Sequence, residues 1–356
     1  MGTLVLGLGL WTAPSVWASQ PAEATDSLAG GHQDHAHEAE FEAGTFIINH
    51  ISDAHDIHLF GDVHIPLPVI LFVEGHGWDV FMSSAFHGHG HGDRHGSGGL
   101  GIDYTLHAET ISADNGARVW DLSITKSVFG MLLMLALMVW IFTSMARGYK
   151  KNPNAAPKGL SNAMEPLILF IRDEVAKPAL GHNANHFMPF LLTFFFFIFF
   201  SNLLGLVPFL GGFNITGTLG VTMVLATLVF LITILNGNKH YWEHIVWMPG
   251  VPGLVKVLIL TPIEIIGIFL KPIVLMIRLT ANITAGHIII LAFTSLIFIL
   301  GQSGEAPGTG FGVGIFSTLF MIFMYCLELL VAFLQAYVFT LLAALYFGDA
   351  KQEAHH

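Results

Sequence analysis

Charge is what this sequence has least of. Only 11% of its 356 residues are Asp, Glu, Lys or Arg, against about 25% in a soluble globular domain, while 53% are hydrophobic and the mean hydropathy is +0.66. Those figures exclude an ordinary soluble enzyme and place most of the chain in lipid as helical spans. Cysteine is almost missing. Cys326 stands alone in an apolar run, so there is no disulfide framework. Basic residues are in deficit, with a net charge of −11, which argues against nucleic acid as a partner. No G-x-x-x-x-G-K-[ST] loop is present to cradle a nucleotide phosphate, and no internal repeat of the kind many transporters carry is visible.

The few charges are unevenly placed. Residues 19–118 hold 15 acidic residues against Arg94 and Arg118. They also hold 13 of the 20 histidines, clustered in GGHQDHAHEAE and in the run from His87 to Gly99. Residues 1–18 form a short apolar run ending Val16-Trp17-Ala18, the pattern of a secretory signal peptide cut after Ala18. The segment after it, 19–118, is then an exported acidic region. Weak alternation over Ile47–Val73 predicts a few strands, Asp103–Leu106 another, and Asp114-Asn115-Gly116 a turn. The histidine tracts have two readings, loose binding of zinc, copper or nickel and a solvated Gly/His loop, and no fixed ligand spacing decides between them.

From residue 119 to about 350 the chain reads as an all-α membrane domain of about five spans, with 351–356 as a short tail. The spans are Leu122–Met145, Phe187–Phe209, Thr218–Leu235, a long apolar stretch from Val257 to about Leu300, and Ile315–Phe347. The last two exceed the ~20 residues a bilayer needs, so they tilt strongly, bend or double back. Asn162–Ala176 reads as an amphipathic interfacial helix with Arg172, Asp173 and Glu174 on its wet side, ended by Lys177-Pro178. The loops at 146–187 and 236–256 carry the Lys and Arg, and the turns at 209–217 and 301–314 carry none. By the positive-inside rule the N-terminal region lies outside the cell and the C-terminus in the cytoplasm.

The stretch PIEIIGIFLKPIVLMIRLTANITAGHIII, Pro262–Ile290, organises the rest. Glu264, Lys271 and Arg278 are spaced i, i+7 and i+14, with Asn282 four beyond Arg278. At about 100° per residue they make one polar stripe on an oily helix. His287, nine residues past Arg278, points to nearly the opposite side and ~13 Å further along the axis. Lys271 is placed to snorkel to the cytoplasmic interface. The last span carries Glu328 and Gln335, i and i+7 on one face. Charged groups at bilayer depth are costly, so each is a functional candidate. An arginine stays protonated and cannot relay a proton, but it can hold a carboxylate ionised, either Glu328 or one on another subunit. Glu264, His287 and Glu328 can exchange protons. Glu264 and His287 lie ~35 Å apart along a straight helix, which suits two separate aqueous access paths.

MIRLTANITAGH together with CLELLVAFLQAYVF resembles subunit a of the membrane sector of F-type ATP synthases, in the form found in Bacteroidetes-like bacteria, over roughly 120–350. The resemblance implies a non-nucleotide-binding stator subunit of the bacterial inner membrane. It implies the c-subunit ring, the peripheral-stalk b subunits, the lipid bilayer and, indirectly, the F1 sector as partners, and no cofactor or metal. It implies that Arg278 faces the c-ring carboxylate between two half-channels, that Glu328 and His287 line the periplasmic one, and that Glu264 belongs to the cytoplasmic one. Asn282, Gln335 and Asn202 match polar positions beside the path. Where some relatives carry acids after the second-span asparagine, this chain has Gly205 and Phe209. The alternative to this reading is a stand-alone ion transporter or channel using the same intramembrane charges.

Overall fold

The computed structural model describes residues 53–58, 64–86, 94–107, 109–151, 158–207, 213–246, 258, 261–300 and 307–351. The expected signal peptide at 1–18, the first histidine tract and residues 87–93 of the second lie outside them. All described residues belong to one compact unit.

Among the described residues before the first long helix, the regular structure is β strands and one short 3-10 turn at Ser83–Ala85, so the all-α expectation holds only from Lys126 onward. Strands β1 (Asp56–His58) and β2 (His64–Pro66) form a small antiparallel pair. Strands β3 (Pro68–Val73), β4 (Gly77–Met82) and β8 (Val119–Asp121) form one three-stranded sheet in the order β4-β3-β8. Strands β5 (Arg94–Ser97), β6 (Asp103–His107) and β7 (Thr110–Ala113) form another in sequence order. The expected strand at Asp103–Leu106 is β6, and the expected turn follows β7 at Asp114-Asn115. The end of the second histidine tract is β5, where His95 bonds Thr105 Oγ1. Strand β8 lies past residue 118, so the β region runs on beyond the expected boundary, into the start of the segment read as the membrane domain.

Alternation explains how the two sheets pack. Val69, Leu71 and Val73 of β3 point inward with Tyr104, Leu106 and Ile111 from the other sheet, making one core. Buried Asp79 accepts from the Tyr104 hydroxyl and from the backbone N–H of Gly99 and Leu100. The outward face of β4-β3-β8 is wholly apolar. Phe72 lies between Trp78 and Trp120. Ile70 pairs with Val80 and accepts from the N–H of Leu122, and Pro68 pairs with Met82 and accepts from the N–H of Ile124. Trp78 and Val80 are each 60% exposed, and the Arg118 guanidinium sits 5.2 Å over the Trp120 ring.

The β region caps the first long helix, α1 (Lys126–Lys151). Asp53 accepts from the Ser127 N–H and the Thr125 hydroxyl, satisfying a free donor at the helix start with a favourably placed negative charge. His55 is clamped between Glu109 at 3.0 Å and Asp121 at 3.2 Å, and Arg94 closes the group on Glu109 at 3.1 Å. Burial works against charging His55, but the two carboxylates override it and push its pKa up to about 9. Glu109 is held at φ 63°, a left-handed conformation uncommon in a non-glycine residue, in the tight turn between β6 and β7.

Helix α2 (Leu160–Phe170) runs through a π-helical segment, Ile171–Ala176, into α3 (Lys177–Leu180). Lys177-Pro178 therefore does not end this helix. Pro178 follows directly on the π-helical segment, within the continuous run. Asp173 is salt-bridged to Arg172 and Lys177, and these partners hold its carboxyl well below the usual range.

Helix α4 (Ala184–Gly205) is the centre of the helical bundle. Its phenylalanines pack on α1 through Phe142–Phe196, and on α8 (Pro307–Lys351) through Phe187–Phe347 and Phe194–Phe339. Buried Ala332, Ala336, Ala343 and Ala344 let α8 approach closely. Helices α5 (Leu219–Leu235) and α6 (Lys239–Val246) precede α7 (Thr261–Leu300).

Helix α7 is continuous for 40 residues through Pro272, so the long fourth stretch does not double back. At 1.5 Å per residue α7 is ~60 Å long and α8 ~67 Å, about twice a bilayer core. Three described helical stretches are long and apolar enough to cross a membrane: Lys126–Lys151, Leu160–Gly205 and Gly314–Lys351. Leu219–Leu235 is a shorter apolar helix.

Candidate functional site

Helices α7 and α8 run antiparallel, and their polar residues meet at a constant register. Phe293 packs on Phe320 with ring centroids 4.1 Å apart. Seven residues closer to the α7 start, Gly286 faces Glu328. Another seven on, Leu279 faces Gln335. Seven-residue steps on α7, met by steps of eight and then seven on α8, carry the contact from one pair to the next.

Gln335 is buried, and its Nε2 donates to the carbonyl of Leu279 at 2.7 Å and toward that of Arg278 at 3.4 Å. It tethers the α7 backbone where the arginine leaves the helix. Arg278 itself is exposed, flanked by exposed Val274, Ile277 and Asn282. No described carboxylate forms an ion pair with it. Of the two partners open to it from the sequence, Glu328 is therefore not engaged. A guanidinium in mid-helix on an outward face is costly in lipid without an acid beside it, and none of the described carboxylates pairs with it.

Glu328 is only 6% exposed, and neither carboxylate oxygen has a hydrogen-bond partner among the described residues. Its carboxylate lies on the bare Cα of Gly286, where an added Cβ would come within 2.8 Å of Oε1. The adjacent His287 is half-buried and turned to the other side, against α4. A Cβ on Gly205 would be 3.3 Å from its Nε2. Two missing side chains thus make room for two titratable ones. Ser201 Oγ, Asn214 Oδ1 and Gln335 Oε1 are likewise buried without a protein partner. Buried polar atoms left bare cost about 1–3 kcal/mol each.

Asn202 is buried and paired. It donates to the Ala332 carbonyl at 3.3 Å and accepts from the Thr216 hydroxyl at 2.6 Å, tying α4 to α8 and to the turn before α5. It stands one helical turn from Gly205. At the other end of α7, Glu264 lines a cavity of about 150 Å³ with His240, Tyr241, Ile245, Ile268, Lys271 and Asp349. Lys271 does more than snorkel. Its Nζ is 3.6 Å from Asp349 and 4.9 Å from the centre of the Tyr346 ring. The structure therefore gathers Glu328 and His287 beside Gly286 and Gly205, places Arg278 and Asn282 on the outer face, and puts Glu264 in a separate cavity. Sequence reasoning missed Gly286, Asp349 and the steric role of Gly205. Asp349 was legible as an acid at the end of the last apolar helix. The glycines carried no signal until the register was known.

The sequence profile of the ATP synthase A chain family matches residues 128–348, which take in α1, the gathered polar residues and nearly all of α8. The chain belongs to the ATP synthase A chain family. Its similarity to an ATP synthase subunit a of Chloroherpeton thalassium is 42% identity over 240 residues, 67% of this chain and 69% of the relative. To an ATP synthase subunit a 2 of Chlorobaculum tepidum it is 37% over 354 residues, 97% and 83% of the two chains. To one of Prosthecochloris aestuarii it is 36% over 348 residues, 95% and 88%. The last two alignments span nearly the whole chain, the β region included. That region also matches a family described only as a domain of unknown function, over residues 46–126. The A-chain family match ends one residue before Asp349.

Proposed function

We propose that the chain is the proton-conducting stator of an F-type ATP synthase. The observation that carries this reading is Arg278, a permanent cation exposed in mid-helix and unpaired by any described carboxylate. Its partner is the ion-carrying carboxylate of a c-subunit ring rotating past α7. Protons enter from the periplasm past Glu328 and His287, where bare buried oxygens favour a wetted path, and neutralise a ring carboxylate. Neutral, that group can face lipid, where the ion could not. After nearly a full turn it gives its proton to the path at Glu264. Arg278 then stabilises the emptied carboxylate and repels a proton from crossing directly between the two paths. Gln335 holds the backbone at Arg278 in register, and Asn282 and Asn202 flank the route.

On this reading five helices cross the inner membrane, with α7 and α8 strongly tilted because each is about twice the bilayer core in length. The β region is periplasmic, the C-terminus is cytoplasmic, and the peripheral-stalk b subunits and the F1 sector complete the assembly. The test is Arg278→Ala in the assembled complex reconstituted in vesicles. ATP-driven acidification is expected to be abolished, and normal coupled pumping by that variant would overturn the proposal.

A further inference from the structure

The cavity at the start of α7 holds more charge than one proton-exchanging acid requires. Glu264 and Lys271 come from α7, Asp349 from α8, and His240 and Tyr241 from α6. Its volume of about 150 Å³ has room for several waters. Lys271 is committed to α8, 3.6 Å from Asp349 and stacked on Tyr346, yet it stands seven residues from Glu264 on the same face of α7. The Tyr241 phenol is pushed up, by burial first and then by both Asp349 and Glu264, so the two carboxylates act on one spot. Other charges on α6 are engaged elsewhere, Lys239 pairing with Glu243 at 3.5 Å. Two carboxylates facing one small cavity without a cation retain a proton between them, because both cannot ionise at low cost.

We propose that Lys271 is the shared counter-ion of Glu264 and Asp349, and that it keeps Asp349 from competing for the protons that Glu264 exchanges with the cytoplasm. This rests on the reading of Glu264 as part of the cytoplasmic path. Lys271 and Asp349 are positioning residues here, and Glu264 is the group that takes and gives the proton.

The test uses the assembled complex in vesicles, with ATP synthesis driven by a fixed gradient while the pH on the cytoplasmic side is varied. Lys271→Gln leaves two acids and no cation from α7, so the cavity holds its proton more tightly. The cytoplasmic pH dependence of synthesis is expected to move alkaline by about 0.5–1 unit. Asp349→Asn leaves Lys271 to Glu264 alone and is expected to move it the other way. Joining Asp349→Asn to Lys271→Gln is expected to bring the profile back toward the starting one, which the loss of a mere structural clamp would not do. An unmoved profile in Lys271→Gln, shifts of one sign in both single variants, or no return in the double variant would each overturn the proposal. The periplasmic-side pH dependence, taken on the same vesicles, should stay unmoved. If it moves together with the cytoplasmic one, the assignment of Glu264 to a separate cytoplasmic path fails instead.

Discussion

The imidazole of His287 lies over the Cα of Gly205, so that a Cβ there would stand 3.3 Å from Nε2 and 2.9 Å from the carbonyl oxygen of Phe213. The side chain on α7 occupies the volume that an acidic side chain on α4 would need. A glycine at 205 is thus the steric complement of a histidine at 287. The ring can yield a few tenths of an ångström, but the Phe213 carbonyl belongs to the backbone and yields less. Gly205→Ala is therefore expected to cost about 1–3 kcal/mol of stability by overpacking. It should also lower ATP-driven pumping about tenfold through the displaced imidazole, because small misplacements of a reacting group are expensive. Thermal denaturation and vesicle acidification measured on one preparation separate the two effects. Wild-type pumping in Gly205→Ala would show that the ring position is not critical.

Gly286 makes a contrasting case. A Cβ added there meets the Glu328 carboxylate at 2.8 Å, the far end of a flexible side chain rather than a fixed backbone atom. Gly286→Ala is expected to leave stability within about 1 kcal/mol, since it also removes a helix-interior glycine, while pumping falls because the acid is pushed from its seat. A loss of stability larger than that of Gly205→Ala would contradict this ranking.

How much of this was legible beforehand depends on the range of the interaction. The outward position of Arg278 relative to His287 follows from helical period alone, nine residues being half a turn out of phase. The pairing of Glu328 with Gly286 depends on the register of two helices joined across residues 301–306, which no local pattern encodes. The β region was harder to read. Its apolar outer face is assembled from Trp78, Phe72 and Trp120 on three separate strands, so no single window shows it. Histidine and glycine content also masked β5. The left-handed Glu109 had no signal, because the residue type that usually marks that conformation is absent.

Gln335 offers a test of how firmly Arg278 must be held. Its amide spans from α8 to the carbonyls of Leu279 and Arg278. Gln335→Leu keeps the bulk and removes the tether. The carbonyls keep their own helical bonds, so the stability loss should stay near 1 kcal/mol. Coupling should suffer more than assembly: passive proton leak through the reconstituted membrane sector is expected to rise while ATP-driven pumping falls several-fold. Unchanged leak and pumping would mean that the α7 backbone is fixed by packing alone.

The His55 group predicts how the β region responds to pH. His55 has its pKa raised from 6.5 to about 9 by Asp121 and Glu109 against the opposing effect of burial. A group whose folded pKa is raised contributes stability that is fully present below its unfolded value and is lost as pH climbs through the folded one. The alkaline loss therefore falls between about pH 6.5 and 9 and amounts to roughly 2–3 kcal/mol. Glu109 and Asp121 have lowered values, through His55 above all and through Arg94 and Ser123 respectively, although burial opposes this. Their contribution is present above the ordinary carboxylate range and fades as pH falls below it. Thermal unfolding of the full-length protein, followed by the fluorescence of Trp78 and Trp120 with the other tryptophans replaced by phenylalanine, should be most resistant near pH 5–6.5 and decline on both sides. His55→Gln keeps a donor but cannot charge, so its alkaline limb should flatten. A midpoint that stays constant from pH 6 to 9 in the unsubstituted chain would mean that the clamp contributes nothing to folding.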